Sequence, residues 1–121
     1  MNSTRETGKK AEGVAVDYLL KNGYEILERN WFSHHHEIDV VAKKNKIVVF
    51  VEVKSLATDY IREPYMAVDR NKQMMLISAA NAYIRSRNID DEVRFDIISI
   101  ILASTGTKIE HIENAFYPRV K

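Results

Sequence analysis

The sequence predicts an α/β fold in which a mixed sheet is covered by helices. Three observations carry this. Apolar residues recur at helical spacing in two stretches, near residues 4–22 and 70–87. Apolar, β-branched runs at residues 47–53 and 92–102 read as strands. The run from Ile47 to Val53 is apolar at nearly every position, as expected of a central strand covered on both faces. The predicted order is helix, three strands, helix, two strands, in one domain over residues 1–121.

Each element has a local cause. Ser3-Thr4-Arg5-Glu6 fits a capping box, in which side chains satisfy the first free N–H groups of a helix. Ala11, Val14, Ala15, Tyr18 and Leu19 then line one helical face, and Gly23 suits a left-handed cap. Tyr24 to Phe32 reads as an irregular edge strand. Glu37 to Ala42 alternates, with Glu37, Asp39 and Val41 expected on one face and Ile38, Val40 and Ala42 on the other. Lys43 to Lys46 reads as a turn, and Ser55 to Pro64 as a loop. Asp69 caps a second helix whose stripe is Leu76, Ala79, Ala80 and Tyr83. Glu92 to Leu102 is a strand, Ser104 to Thr107 a turn, and Lys108 to Ile112 a short last strand.

Composition narrows the function classes. The 121 residues contain no Cys, which excludes a disulfide scaffold, a thiol nucleophile and Cys-held metal sites. With 18 Lys+Arg against 17 Asp+Glu the net charge is +1, so any attraction for nucleic acid comes from a local patch. The N-terminus lacks an apolar signal core, and no stretch approaches the ~20 apolar residues of a membrane span. A soluble, cytoplasmic protein is the expectation.

Three charged residues stand where a buried sheet should not want them. Asp39 lies between Ile38 and Val40, and Glu52 and Lys54 close the run Val49-Phe50-Val51-Glu52-Val53-Lys54. Buried charges cost several kcal/mol unless they are paired or bind metal. A hairpin turning at Lys44-Asn45 would place Asp39 opposite Phe50 and Glu37 opposite Glu52. Asp39 would then be diagonal to Glu52, about 7–8 Å away, a gap that a cation could span. Carboxylates without thiols favour Mg²⁺ or Mn²⁺. The competing reading is a solvated Glu52–Lys54 pair at a strand end, because an acid-x-Lys spacing arises by chance about once in such a chain.

The pattern Asp39 … Glu52-Val53-Lys54 resembles the P-D…(D/E)-x-K signature of restriction-endonuclease-like nucleases. More specifically, a series of segments resembles the YraN-like family of small bacterial proteins. They are Gly8-Lys9-Lys10-Ala11-Glu12, Asn22-Gly23-Tyr24, Arg29-Asn30-Trp31, Glu37-Ile38-Asp39, Phe50-Val51-Glu52-Val53-Lys54 and Arg94-Phe95-Asp96. The resemblance covers nearly the whole chain, in order. It implies a restriction-endonuclease-like core related to archaeal Holliday-junction resolvases.

Carried over by residue, the resemblance makes Asp39 and Glu52 metal-binding carboxylates and adds the Val53 carbonyl as a backbone ligand. Lys54 would position water or stabilise charge on a phosphate. Glu12 would complete the site from the first helix, the alternative being an ordinary solvent-exposed acid. Glu37 would support the ligands from behind. Two departures stand out. His34-His35-His36 replace the small glycines of the family, and Leu56 stands where relatives carry a basic residue. The histidines read as exposed loop residues or, with His34 and His36 on one face, as a phosphate or transition-metal site.

Lys9, Lys10 and Lys72 are the first candidates for nucleic-acid contact, followed by Arg5, Lys43, Lys44, Lys46 and Arg70. The function expected is a Mg²⁺- or Mn²⁺-dependent endonuclease acting on DNA ahead of RNA, including branched DNA, with a homodimer as one possible state. The alternatives are a nucleic-acid-binding module that keeps the fold without the activity, and a partner-binding protein.

Overall fold

The computed structural model describes residues 4–34, 36–56 and 69–117, with side chains from residue 8 onward. The elements are α1 (Thr4–Lys21), β1 (Glu25–Ser33), β2 (His36–Lys44), β3 (Ile47–Leu56), α2 (Arg70–Arg87), β4 (Glu92–Ala103) and β5 (Gly106–Ile112). The expected α-β-β-β-α-β-β order is observed. Ser3 lies outside the described residues, as do 57–64 of the expected loop, and its first residues Ser55 and Leu56 extend β3.

The five strands form one mixed sheet in the order β1-β2-β3-β4-β5. Only β3 and β4 are parallel, and α2 lies in the crossover that a parallel pair requires. Both helices end as their caps dictate. Gly23 at φ +86 turns the chain after α1, with Tyr24 N–H donating to the Leu19 carbonyl at 3.0 Å. Asp69 caps α2 by accepting from Lys72 N–H at 2.9 Å, and Asn88 at φ +53 closes it.

Two apolar layers sandwich the sheet. On one face Ala11, Ala15 and Leu19 of α1 pack on Val40, Ala42, Val49, Val51, Ile98 and Ile100. On the other, Leu76, Ala79, Ala80 and Tyr83 of α2 pack on Ile38, Val41, Val48, Phe50, Phe95 and Ile97. Tyr83 meets Trp31 and Phe50 edge-on at 5.2 and 5.9 Å, and Phe95 stacks between Phe50 and Phe116.

The β2–β3 register differs from expectation by two residues. The turn is Asn45-Lys46, both at positive φ (+53 and +64), the pattern of a type I′ hairpin. Pairing therefore runs Lys44↔Ile47, Val41↔Phe50 and Val40↔Val51. Extended by one step, it sets Asp39 opposite Glu52 rather than Phe50.

Strict alternation in β2 also fails. Ile38 joins Val41 beneath α2, whereas Val40 and Ala42 lie beneath α1. The strand switches face at Asp39, beside Asn30, which holds φ +52 between the pairs Arg29↔Val40 and Trp31↔Ile38. Past Val40↔Val51, β2 follows β1 to Ser33↔His36 while β3 follows β4 to Leu56↔Ile101. The sheet forks there.

A candidate active site at the fork in the sheet

The fork gathers acids from three elements. Glu12 of α1 and Glu37 and Asp39 of β2 each offer a carboxylate oxygen, all within 4.8 Å of one another. Glu12 arrives because Ala11 and Ala15 seat α1 on Val40 and Val51. Asp39 Oδ2 accepts a hydrogen bond of 2.9 Å from Val53 N–H, so its carboxylate reaches across the fork to β3. In an extended strand a residue's N–H and C=O point the same way, so the Val53 carbonyl also opens into the fork.

Glu52 enters from the α2 side, two residues along from Phe50. Its side chain is only 5% exposed, and its Oε2 lies 3.5 Å from Lys54 Nζ and 3.7 Å from Lys72 Nζ. It lies close enough to Asp39 for its charge to raise that carboxyl. Asp39 and Glu52 therefore meet through the fork rather than on one flat face. A flat-sheet expectation assumed unbroken alternation, and the face switch at Asp39 removes it.

The electrostatics report crowding. Burial, with the charge of Glu52 behind it, pushes the Asp39 carboxyl up to about 7. Burial and then the Asp39 charge raise Glu12, and burial followed by Asp39 and Glu12 raises Glu37. Like charges held this close ask for a proton or a cation. The donor set is all oxygen, which suits a hard divalent ion. Glu37 sits within the acid cluster itself, closer than a supporting role requires.

The other candidates divide. Lys72 is at the site, in the first turn of α2. Lys9 and Lys10 are exposed on α1, and Lys9, three residues before Glu12, shares its face. Arg70 is exposed at the start of α2, and the Arg5 side chain lies outside the described residues. Lys43, Lys44 and Lys46 sit at the far end of the hairpin, about 15 Å along β2 from Asp39. There Lys43 pairs with Asp91 at 3.1 Å, and Lys44 donates to the Asn22 carbonyl and covers the Tyr24 ring.

His34 and His36 do not share a strand face. Ser33 pairs with His36, His34 is exposed at φ +57, and His35 lies outside the described residues. Among the described residues, no histidine joins the acidic cluster.

Two features went unread in the sequence. Asn30 lies beside Glu12 and favours its charged form, and the sequence marked it only as the middle of the Arg29-Asn30-Trp31 segment. The second is a buried network around Asp96, which is 0% exposed. Arg94 binds its carboxylate at 2.9 and 2.8 Å, and Asn114 N–H donates at 3.1 Å. His111 Nε2 lies 2.7 Å away and must donate, because an ionised carboxylate only accepts. The Tyr18 hydroxyl meets His111 Nδ1 at 3.0 Å. These bonds outweigh burial and hold the Asp96 carboxyl below its ordinary value.

Comparison with known proteins places this arrangement. The model of the uncharacterised protein family UPF0102 matches residues 11–100, a span that holds every acid of the fork. The chain belongs to this family. A UPF0102 protein of Parabacteroides distasonis is 44% identical over 97% of both chains. One from Bacteroides thetaiotaomicron is 43% identical over 98% of both. A UPF0102 protein of Thermodesulfovibrio yellowstonii is 43% identical over 93% of this chain and 96% of its own. Among solved structures, SfsA of Pyrococcus furiosus in complex with Ca²⁺ aligns with a TM-score of 0.38 and 16% identity. That alignment covers 92% of this chain and 64% of the SfsA chain. Among the described residues of this UPF0102 member, no helix is long and apolar enough to cross a membrane.

Proposed function

We propose that this UPF0102 protein is a Mg²⁺- or Mn²⁺-dependent phosphodiesterase that cleaves DNA at the fork. The observation that carries the reading is the meeting of Glu12, Glu37 and Asp39 within 4.8 Å, beside Glu52 and two lysines. Three half-buried carboxylates with raised proton affinity fit a divalent cation. Glu12, Glu37 and Asp39 would hold it, with Glu52 and the Val53 carbonyl completing the oxygen set. When bound, such a cation supplies Lewis-acid polarisation of a phosphate oxygen and makes water more acidic.

The chain's own groups have distinct tasks. Val53 N–H and Glu52 orient Asp39. Lys54, next to Glu52 at the open end of β3, orients a water molecule or stabilises charge on the phosphate. Lys72, at the first turn of α2, holds a neighbouring phosphate of the strand. Lys9, on the Glu12 face of α1, adds a weaker backbone contact.

A second reading, a nucleic-acid-binding module without cleavage, draws on the ion pairs that Glu52 makes with both lysines. One experiment decides between the two. The protein is incubated with single-stranded, duplex, flapped and four-way DNA, and with RNA, in Mg²⁺, in Mn²⁺ and in chelator. Metal-dependent cleavage that Asp39→Asn abolishes supports the phosphodiesterase. Binding without cleavage in any arm supports the module.

A further inference from the structure

The two edges of the sheet are built differently. β1 is protected: its pairing slips at a bulge between Ile26 and Glu28, and Asn30 bends it at φ +52. Bulges and bends of this kind keep an edge from recruiting another strand. β5 has neither. It pairs with β4 without a slip, from Ile97↔Ile112 to Ala103↔Gly106. It contains no Pro, and Gly106 to Glu110 are exposed. No strand covers its outer side among the described residues. Alternate residues of such a strand present N–H and C=O groups outward.

The side chains say what fits this edge. Lys108 and Glu110 flank Ile109, which is 37% exposed. In an antiparallel pairing of β5 with a second β5, centred on Ile109, Lys108 of each copy faces Glu110 of the other. Both charges lie on one face of the strand, and the two Ile109 side chains meet at the axis on the other. Parallel pairing or a one-residue slip loses these matches. The pattern is complementary to itself about a two-fold, which is the requirement for an isologous interface.

We infer that the β5 edge is a homodimer surface, pairing antiparallel with the β5 of a second copy about Ile109 into a continuous ten-stranded sheet. The two-fold runs perpendicular to the sheet, so both α1 helices lie on the same face of the dimer. One strand pair covers less area than the roughly 800 Å² per partner of a standard interface, so the dimer is weak and concentration-dependent. The inference stands apart from the chemistry at the fork.

Charge exchange tests it. Sedimentation equilibrium over a concentration series should show the wild-type chain passing from monomer to dimer. Lys108→Glu alone sets acid against acid, and Glu110→Lys alone sets base against base. Each should raise the dimer Kd by roughly tenfold or more, with circular dichroism unchanged. The two single variants mixed in equal amounts should form a heterodimer, because each supplies the charge the other lacks. The doubly exchanged chain should dimerise like wild type. A wild-type chain that stays monomeric at every concentration overturns the proposal, whether its own terminus or a different protein covers the edge. Single variants that dimerise as wild type does, or a mixture that stays monomeric, also overturn it.

Discussion

Asp39 Oδ2 takes the backbone hydrogen of Val53 at 2.9 Å, at the point where β2 and β3 cease to pair. A side chain thus replaces the carbonyl that a continued ladder would have supplied. The bond satisfies a half-buried N–H and holds the carboxylate between Glu12 and Glu37 on one side and Glu52 on the other. The fork is closed at its base by one of the acids it gathers.

The metal-free protein should lose stability as pH rises. Asp39 titrates near 7 in the folded state against about 3.8 unfolded. The folded state therefore holds the extra proton between these values. That contribution is complete below about pH 4 and is lost as pH rises through 7. Urea unfolding in chelator at pH 5 and pH 8 should show the wild type weaker at pH 8, by up to a few kcal/mol. Asp39→Asn should flatten this slope. An unchanged slope in the variant would show that crowding at Asp39 is not its source.

Divalent cations should reverse that loss. A ligand that binds only the folded state stabilises it by mass action, about 2.7 kcal/mol at a hundred times its Kd. Mn²⁺ should raise the melting temperature of the wild type at pH 8 and leave Asp39→Asn and Glu12→Gln nearly unmoved. Equal rises in all three proteins would place the cation elsewhere.

Lys54 and Lys72 should separate in their effects. If Lys54 acts on the reacting phosphate, Lys54→Ala should lower the single-turnover cleavage rate by ~10²–10³-fold with little change in DNA affinity. Lys72→Ala should weaken binding and reduce the salt slope by about one unit. Parallel losses of rate and affinity in both variants would refute the division.

The Asp96 network should matter for stability and not for metal. Arg94→Ala removes the bidentate partner of a buried carboxylate, a change that costs about 3 kcal/mol. Because the Asp96 carboxyl is held low, its contribution is present above pH 4 and lost as pH falls below. Calorimetric Mn²⁺ affinity of the folded variant should match wild type. A large fall in affinity would mean that the network holds α1, and with it Glu12, in place.

Lys46→Gly should stabilise the hairpin. Lys46 sits at φ +64, where a side chain costs about 1 kcal/mol that glycine does not. Thermal unfolding should shift upward by a few degrees. No shift would argue against the Asn45-Lys46 turn, and with it against the register that sets Asp39 opposite Glu52.

Much of this molecule follows from local pattern. The period of 3.6 predicts both helices, alternation predicts β2, and apolar β-branched runs predict β3 and β4, because burial repeats with the geometry of the element itself. Gly23 and Asp69 mark a helix end and a helix start, since each satisfies backbone groups within a few residues. The charges at Asp39, Glu52 and Lys54 stand out because an apolar strand does not tolerate them singly. Other features needed the assembled fold. A register shift of two residues leaves every side chain on its own face, so hydrophobic alternation is blind to it and only the Asn45-Lys46 turn selects the pairing. The face switch at Asp39 lies beside Asn30 of the neighbouring strand, and the nearness of Glu12 depends on how α1 seats on Val40 and Val51. The Asp96–His111 bond joins residues fifteen apart, on strands that pair only in the sheet. Periodicity reports which way a residue faces; only long-range packing decides which residues it faces.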